Sequence, residues 1–294
     1  MHAAETGSFA SAARVLNISA AAVGQNIKRL EDAYGVKLFN RTTRKMSLTP
    51  EGTLLYERAR VPLRELDELE DLFDESRGIV SGRLRLTAPK SFAMRTLVPL
   101  VAAFHARHPA VEIDIDASDS VRDFVDDPVD IAFRWGDPDS ATMIARKIAA
   151  LPVLTAASPD YLAARGTPDH PDDLVDHNCV QYRYPTSKRI WVWAYVVGGE
   201  IKRFPTKGNL IANDPDTLLG AALSGAGLVQ LDSYYVAEPI KSGELVPVLT
   251  EFAPTLTSLQ ICYPSRDHLP LRVRTFIDFA LAEMPRDSFS LSAT

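Results

Sequence analysis

The sequence predicts an α/β protein with an N-terminal winged helix-turn-helix, a long linker helix and a C-terminal α/β domain. Three observations predict it: two short helical patterns followed by a basic hairpin, a helix with heptad-spaced apolar residues, and strand patterns that alternate with helical patterns over the rest of the chain. The 294 residues, 46% of them hydrophobic, suffice for roughly two domains. A disordered or fibrous chain is excluded.

The cysteine content and the hydropathy pattern indicate the compartment. The two cysteines, Cys179 and Cys262, cannot form a disulfide framework and favour a reducing environment. The first residues lack the basic and apolar regions of a secretory signal, and no uncharged apolar run approaches the ~18 residues that would span a bilayer. We therefore expect a cytoplasmic protein.

The net charge of −6 is unevenly distributed along the chain. Residues 1–60 hold nine Lys and Arg against five Asp and Glu, residues 61–80 hold two against seven, and residues 81–294 hold 21 against 26. Because phosphate binding needs clustered cations, only the basic head is expected to contact a polyanion. Chance clustering on a solvated face would give the same counts, so the sequence pattern has to decide.

Two short helices joined by a tight turn are predicted at the start of the chain. The first runs from Phe9 to about Asn17, and its apolar face consists of Phe9, Ala12, Ala13 and Leu16. The second runs from Ala20 to Tyr34, with Ser19 as its N-cap and Gly35 at its end. Its buried side is expected to hold Val23, Ile27 and Leu30. This is the helix-turn-helix pattern, in which the second helix enters the major groove of DNA.

The outward face of the second helix carries residues suited to DNA. Small residues near its start allow a close approach to base edges, Gln25 can hydrogen-bond a base, and Lys28 and Arg29 suit phosphates or guanine. With the cap, the predicted contacts of this helix are Ser19, Ala20, Ala21, Gly24, Gln25, Lys28 and Arg29.

Residues 38–50 are predicted to form a small β-hairpin, the wing, because a polar and basic turn separates two apolar stubs. Its donors are of the kind that hold phosphates or reach a minor groove, and the predicted contacts are Arg41, Thr42, Thr43 and Arg44. The alternative is a generic helix-helix-hairpin unit with a solvated basic turn.

The run from Gly7 to Gly52 resembles the winged helix-turn-helix of the LysR-type transcriptional regulators. The most specific stretches are Gly7-Ser8-Phe9, Ile27-Lys28-Arg29-Leu30-Glu31, Gly35-Val36-Lys37-Leu38-Phe39 and Leu48-Thr49-Pro50-Glu51-Gly52. The recognition helix departs from the family, which usually carries Gln, then Pro or Ser, then Ser where this chain has Ala20, Ala21 and Gly24. A base preference therefore cannot be transferred.

A second departure concerns the first helix of the family, which has about three turns ahead of the Gly-Ser-Phe signature. Only six residues precede Gly7, so we expect most of that helix to be missing. A misassigned start or a trimmed chain would explain this, and we favour that account. The alternative is a genuinely shortened head, whose exposed apolar surface weakens folding or DNA binding.

The linker helix is predicted over residues 50–80, with Thr49 as a cap and Pro50 in the first turn. Mostly apolar residues recur at alternating spacings of four and three, a heptad seam typical of a dimer-forming helix: Leu55, Ala59, Pro62, Leu66, Leu69, Phe73, Ser76 and Val80. The resemblance implies antiparallel pairing of two chains, with two heads on a pseudo-palindromic DNA site.

The rest of the chain resembles the family's effector domain, a two-lobed α/β fold like a type 2 periplasmic binding protein. A strand over residues 83–88, a helix up to residue 107 and a strand over residues 111–116 predict a parallel βαβ unit. We expect a winged head over residues 1–49, a linker over 50–80, lobe I over 81–158 and 264–294, and lobe II over 159–263.

Ligands of such folds bind between the lobes, near strand ends and helix N-termini. This nominates Lys90, Ser91, Phe92, Ser118, Arg134, Trp135, Asn213 and Asp214. Lys90 and Arg134 would suit a small carboxylate. Ser91 and Asp214 could equally be helix caps, Arg134 could pair with Asp130, and Trp135 could belong to a core.

No nucleotide loop, metal-ligand set or nucleophile arrangement is evident, so we expect neither an enzyme nor a cofactor nor a metal. Trp191-Val192-Trp193 predicts a strand whose two indoles pack on one face.

The prediction is a ligand-responsive DNA-binding transcription regulator, dimeric through residues 50–80 and tetrameric through its effector domains. A small-molecule binding protein with an impaired head and an enzyme on the same scaffold are the competing classes.

Overall fold

The computed structural model describes residues 1–41, 46–59, 62–63, 66, 77–119, 129–136, 143–265 and 269–284. The chain divides into two compact units, Met1–Ile79 and Val80–Thr294, and each is described by itself. No described helix is both long enough and apolar enough to cross a membrane.

The first unit contains the predicted helix-turn-helix. Its elements are α1 (His2–Thr6), α2 (Phe9–Val15), α3 (Ala20–Tyr34), β1 (Phe39–Arg41), β2 (Met46–Leu48) and α4 (residues 50–59). Ser8 and Ser19 cap α2 and α3, because each hydroxyl accepts a hydrogen bond from the backbone N–H three residues later. The small core consists of Ala3, Ala12, Ala13 and Val23, with Phe9, Ile27, Phe39 and Met46 packed against it.

Two residues predicted to be buried are not. Leu16 is 47% exposed and Leu30 is 40% exposed. α2 already ends at Val15, so Leu16 lies in the turn beyond the helix. Leu30 lines an apolar groove of about 470 Å³ within the first unit, together with Ile27, Tyr34 and Leu55. The helical spacing predicts which face of α3 is apolar, but it cannot predict that only part of this face is covered.

The predicted wing is present as an antiparallel hairpin, in which Phe39 pairs with Leu48 and Arg41 with Met46. Thr49 caps α4 as predicted, because its Oγ1 accepts from the N–H of Gly52 at 3.0 Å. Gly52 lies so close to the wing that a Cβ there would be 2.0 Å from the carbonyl oxygen of Leu38. Only glycine fits this junction between the wing and α4.

The second unit is built on a mixed seven-stranded sheet. Its strands are β3 (Gly82–Ala88), β4 (Val111–Ala117), β5 (Ile131–Trp135), β6 (Met143–Ala157), β11 (Val229–Asp232), β12 (Val246–Val248) and β13 (Thr255–Pro264). The order is β11-β6-β13-β5-β3-β4, and β12 also pairs with β6. β3 is parallel to β4 and β5, which confirms the predicted βαβ unit, whereas β13 is antiparallel to β5 and β6.

Two strand pairs lie outside this sheet. β7 (Gln181–Tyr182) is parallel to β10 (Ile211–Ala212), and β8 (Trp193–Val197) is antiparallel to β9 (Glu200–Phe204).

The helices of the second unit are α5 (Lys90–Phe92), α6 (Val98–Arg107), α7 (Pro159–Arg165), α8 (Pro215–Leu223), α9 (Ser233–Lys241) and α10 (Leu271–Glu283). A π-helical turn, Ala93–Leu97, joins α5 to α6. Pro99, in the first turn of α6, cannot donate a backbone hydrogen bond, which explains the irregular turn before it. Short 3-10 helices cover Pro171–Asp176 and Thr250–Phe252.

The long strand β6 contributes to two cores. Leu151 lies in a core with Phe92, Phe104 and Phe276, whereas Leu154 lies in one with Leu218, Leu231 and Val236. A third core surrounds Trp193 and Tyr195. The predicted lobe boundaries stay predictions.

Candidate functional site

The exposed face of α3 is the first candidate site. Ala20, Ala21, Gln25, Lys28 and Arg29 are exposed, whereas Val23 on the opposite side is buried. The Ser19 hydroxyl accepts from the N–H of Ala22 at 3.1 Å and so serves the helix as its cap. Gln25, Lys28 and Arg29 form no side-chain hydrogen bond or ion pair within the described parts of the chain, which leaves their donors to solvent or to a ligand.

Gly24 differs from the prediction, which placed it on the outward face. It is half-buried, and a Cβ at this position would lie 3.7 Å from the ring of Phe9 on α2. The residue therefore faces α2, because the turn between the helices brings Phe9 against this part of α3.

The wing is described only in part. Arg41 ends β1. Thr42, Thr43 and Arg44 lie outside the described residues, so their contacts with DNA stay predictions.

Glu31 fixes the wing to α3. Its carboxylate accepts from the N–H groups of Leu38 at 2.9 Å and Phe39 at 3.3 Å, and from Nζ of Lys37 at 3.3 Å. Burial raises the pKa of this carboxyl, but the two backbone bonds and Lys37 outweigh it, so the pKa of Glu31 lies below its ordinary value. Sequence reasoning found this residue only as part of a family motif.

The second candidate site is a cavity of about 320 Å³ in the second unit. It lies where β5 ends and where α8 and α9 begin, near the strand ends and helix N-termini at which ligands of α/β folds bind. Its lining consists of Trp135, Gly136, Val153, Tyr182, Tyr184, Trp191, Pro215, Gln230, Leu231, Asp232, Tyr235 and Thr257.

Of the eight residues nominated for a ligand, Trp135 alone belongs to this described lining. Phe92 is fully buried against Phe133, with ring centroids 5.0 Å apart, so it is a core residue and the prediction of direct contact is wrong. The Asp214 carboxylate accepts from the N–H and hydroxyl of Thr217 and caps α8, as the alternative interpretation proposed.

The remaining nominated residues are not in the lining of the cavity. Lys90 is exposed, Ser118 is half-buried and Asn213 is exposed. Ser91 is buried, and its hydroxyl donates to the Asp216 carboxylate, which also pairs with Arg95. Sequence spacing placed these residues at strand ends, but their contacts depend on chain segments far away in sequence.

Arg134 is held by its own part of the sheet. Its guanidinium donates to the carbonyl oxygen of Phe133 at 3.0 Å and to Oγ1 of Thr87 at 3.1 Å. Burial lowers the pKa of this guanidinium. Neither Arg134 nor Lys90 lines the cavity, so the predicted carboxylate ligand has no support from their positions.

Most of the lining was not nominated from the sequence. Trp191 was predicted to share a strand with Trp193, but β8 begins at Trp193, which is buried, while Trp191 lines the cavity. The Trp191 Nε1 donates to Oε1 of Gln230 at 3.0 Å. The density of aromatic residues between positions 182 and 193 was the one available signal.

The ionisable side chains in the described lining of the cavity are those of Asp232 and three tyrosines. Burial raises the pKa of Asp232 to about 6, against a smaller effect of a hydrogen bond with Thr257. Burial also raises the pKa of Tyr182 to about 12 and that of Tyr184 above its ordinary value. Near neutral pH the tyrosines are therefore uncharged and Asp232 is mostly ionised.

Both units match known families. Residues 1–53 match the bacterial regulatory helix-turn-helix family of the lysR type, and residues 77–285 match the LysR substrate binding domain. This chain belongs to the LysR-type transcriptional regulators. The resemblance predicted from the sequence is confirmed, and so is the fold class.

Named relatives cover nearly the whole chain. The HTH-type transcriptional regulator CrgA of Neisseria meningitidis serogroup B is 34% identical over 281 residues, which is 95% of this chain and 93% of the relative. The solved structure of CrgA is 32% identical with a TM-score of 0.63, covering 96% and 95%. The full-length structure of the Vibrio cholerae virulence activator AphB is 28% identical with a TM-score of 0.63, covering 96% of both chains. This LysR-type regulator thus combines a DNA-binding head with an effector-binding domain.

Proposed function

We propose that this regulator binds double-stranded DNA through the exposed face of α3 and the wing, and that a small molecule in the aromatic-lined cavity controls that binding. The observation that carries the proposal is the set of free donors Gln25, Lys28 and Arg29 on a helix whose opposite side is fixed against α2. Cations on such a face neutralise phosphates, and Gln25 can hydrogen-bond a base.

A dimer follows from the apolar seam of the linker. Three residues at heptad positions are exposed to solvent in the single chain: Leu55, Pro62 and Leu66. Exposure of these apolar side chains to water costs free energy, and a second copy that covers them would remove this cost. Antiparallel pairing of two linkers would place two heads on a pseudo-palindromic site, and contacts between effector domains would make a tetramer.

The effector acts by a population shift. A ligand that binds one assembly better than another moves the heads and changes how they engage DNA. The protein acts in the cytoplasm, and it acts by binding rather than by catalysis.

Fluorescence anisotropy on the DNA beside the protein's own gene tests the DNA-binding proposal. Because each phosphate contact releases counterions, Lys28→Ala and Arg29→Ala should each lower affinity and reduce the slope of log K against log salt by about 1. Lys202→Ala removes an exposed cation of the second unit and should change neither. Unchanged slopes in both head variants would contradict the assigned surface.

The open groove of the first unit supports a second candidate function, a small-molecule binding protein with an impaired head. Tyr34 is 74% exposed and Leu55 is 42% exposed beside this groove. DNA anisotropy separates the candidates. Steeply salt-dependent DNA binding favours the regulator. If the chain binds a small molecule but no DNA, the second candidate is favoured and the proposed function fails.

A further inference from the structure

Five aromatic side chains form the walls of the cavity in the second unit. The ring planes of Tyr182 and Tyr184 meet at 71° with centroids 5.4 Å apart, and those of Tyr184 and Trp191 meet at 74° with centroids 6.1 Å apart. Trp135 and Tyr235 form a second pair, at 55° and 6.3 Å. Because the ring planes are steeply inclined to one another, some rings present their faces to the cavity and others their edges. The face of an aromatic ring attracts cations.

The charge in this lining is negative. Asp232 is the one charged residue among the described lining residues, and it forms no ion pair within the described chain. Its carboxylate does not cap α9, although Asp232 directly precedes that helix, and Thr257 supplies its hydrogen bond. Because burial raises the pKa of Asp232 and no cation pairs with it among the described residues, a bound cation would stabilise its ionised form.

The two indoles of the lining differ in their hydrogen bonds. The Trp191 Nε1 donates to Gln230, whose amide is also bonded to the backbone of Ala194. The Trp135 Nε1 is buried and has no acceptor among the described residues. Because this atom is not accessible, Trp135 offers the cavity its ring and not its donor.

An anionic ligand fits this chemistry poorly. Lys90 and Arg134 do not line the cavity, and the nearby donors of Ser91 and Arg95 are held by the internal carboxylate of Asp216. Arg203 stacks outside the described lining, with Cζ 5.8 Å from the centroid of the Trp191 ring. An anion would therefore meet Asp232 without a cation in the lining beside it.

We propose that this cavity binds a small organic cation, an amine or quaternary ammonium. The cationic group lies among the aromatic rings and against Asp232. This inference rests on the proposed ligand-responsive function and names the ligand class of that site.

The proposal sets the direction of the pH dependence. Asp232 faces Tyr182, Tyr184 and Tyr235, which all have raised pKa values and stay neutral near pH 6. The other charges that act on these tyrosines are Asp119, Asp214, Asp216 and Arg203, none of which belongs to the described lining. Protonation of Asp232 removes the partner of the cation, so affinity falls as pH falls through about 6.

Three isosteric probes separate charge from shape: choline, the neutral 3,3-dimethylbutan-1-ol and the anionic 3,3-dimethylbutanoate. Tryptophan fluorescence of the full chain reports binding through Trp135 and Trp191. We expect choline to bind at least about tenfold more tightly than the alcohol at pH 8, and its affinity to fall by up to about tenfold in total as the pH falls through about 6. The alcohol should show no such pH dependence.

Two variants locate the site. Asp232→Asn should weaken choline about tenfold and leave the alcohol unchanged, whereas Glu200→Gln, which removes an exposed carboxylate, should have no effect. Tyr184→Leu removes one wall at a half-exposed position and should weaken choline about threefold, so the proposal stays testable if Asp232→Asn fails to fold. Thermal melts of all three variants check folding.

Three results would overturn the inference: no saturable choline response, equal affinities for choline and the alcohol, or tighter binding of the anion. Anisotropy of labelled DNA, measured with the regulator and each of the three probes, distinguishes failure of the cation inference from failure of the proposed function. If the alcohol or the anion binds and changes DNA affinity, ligand control stands and the cation inference fails. If choline binds without changing DNA affinity, the cation inference stands and ligand control fails.

Discussion

At the residue scale, Glu31 shows how one buried carboxylate joins two elements. It is 2% exposed and accepts hydrogen bonds from two backbone N–H groups at the start of the wing and from Lys37. Without it, the N–H of buried Leu38 would lose its partner. The wing is therefore positioned by a side chain of the recognition helix itself.

Replacing Glu31 should destabilise the first unit. Glu31→Ala leaves the buried N–H of Leu38 and the half-buried N–H of Phe39 without this acceptor, and we expect a loss of about 2–4 kcal/mol. Glu31→Gln keeps an acceptor and should cost about 1 kcal/mol. Calorimetry of the full chain measures the loss in the free energy of unfolding from the thermal transition of the first unit. Asp32→Asn, an exposed neighbour, serves as control, and an equal effect of Asp32→Asn and Glu31→Ala would contradict the role of Glu31.

The same residue predicts a pH dependence. The pKa of Glu31 is lower in the folded state than its ordinary value of 4.5, so its ionised form stabilises the fold. This contribution is fully present above pH 4.5 and is lost as the pH falls through the lower folded-state pKa. Melting temperatures between pH 6 and 3 should fall more steeply for the natural chain than for Glu31→Gln. Parallel curves would contradict the assignment.

At the element scale, two glycines of the first unit have opposite roles. Gly52 lets α4 approach the wing, whereas Gly24 lies within α3 at ordinary contact distance from Phe9. The same substitution should therefore have opposite effects at the two positions.

Gly52→Ala should destabilise the first unit by more than about 2 kcal/mol, because its Cβ would overlap the carbonyl oxygen of Leu38. Gly24→Ala is the matched control and should be neutral or stabilising by up to about 1 kcal/mol, since alanine favours helix. Chemical denaturation of both variants measures the difference. Similar losses at both positions would show that Gly52 is not constrained by the wing.

A second contact at this scale joins α8 to α5 and the π turn. The Asp216 carboxylate accepts from Ser91 and pairs with Arg95, and the groups are about one-third exposed. A double-mutant cycle of Asp216→Asn with Arg95→Gln should give a coupling of about 0.5–1 kcal/mol, because solvent screens the pair. A coupling near zero would mean that the two elements are held by other contacts.

At the scale of the whole molecule, exposed apolar residues of the linker indicate a second copy. Leu66 is 57% exposed at a heptad position. If two linkers pair there, Leu66→Glu places a charge in the seam and should weaken self-association at least about tenfold. Sedimentation velocity measures this. Val175→Glu, at a position 77% exposed in the second unit, is the control, and equal assembly of both variants would contradict pairing through the linker.

The order and type of the main elements follow from local signals. Ser19 and Gly35 bound α3 because a hydroxyl satisfies a free N–H and glycine adopts a left-handed end, and both act within a few residues. The parallel pair β3 and β4 follows from alternation and an intervening helix. The exposed residues of α3 that are proposed to contact DNA follow from helical periodicity, with Gly24 as the exception.

The sequence by itself determined the class of protein and the surface proposed for DNA, because caps, periodicity and family motifs all lie within short stretches. Only the tertiary structure decided where the cavity proposed for a ligand lies. Its walls come from residues as far apart as Trp135 and Thr257, and Trp191 faces it because β8 begins two residues later than the alternation suggests. Local patterns specify which faces of an element are apolar, but the packing of distant segments specifies which of those faces enclose a space.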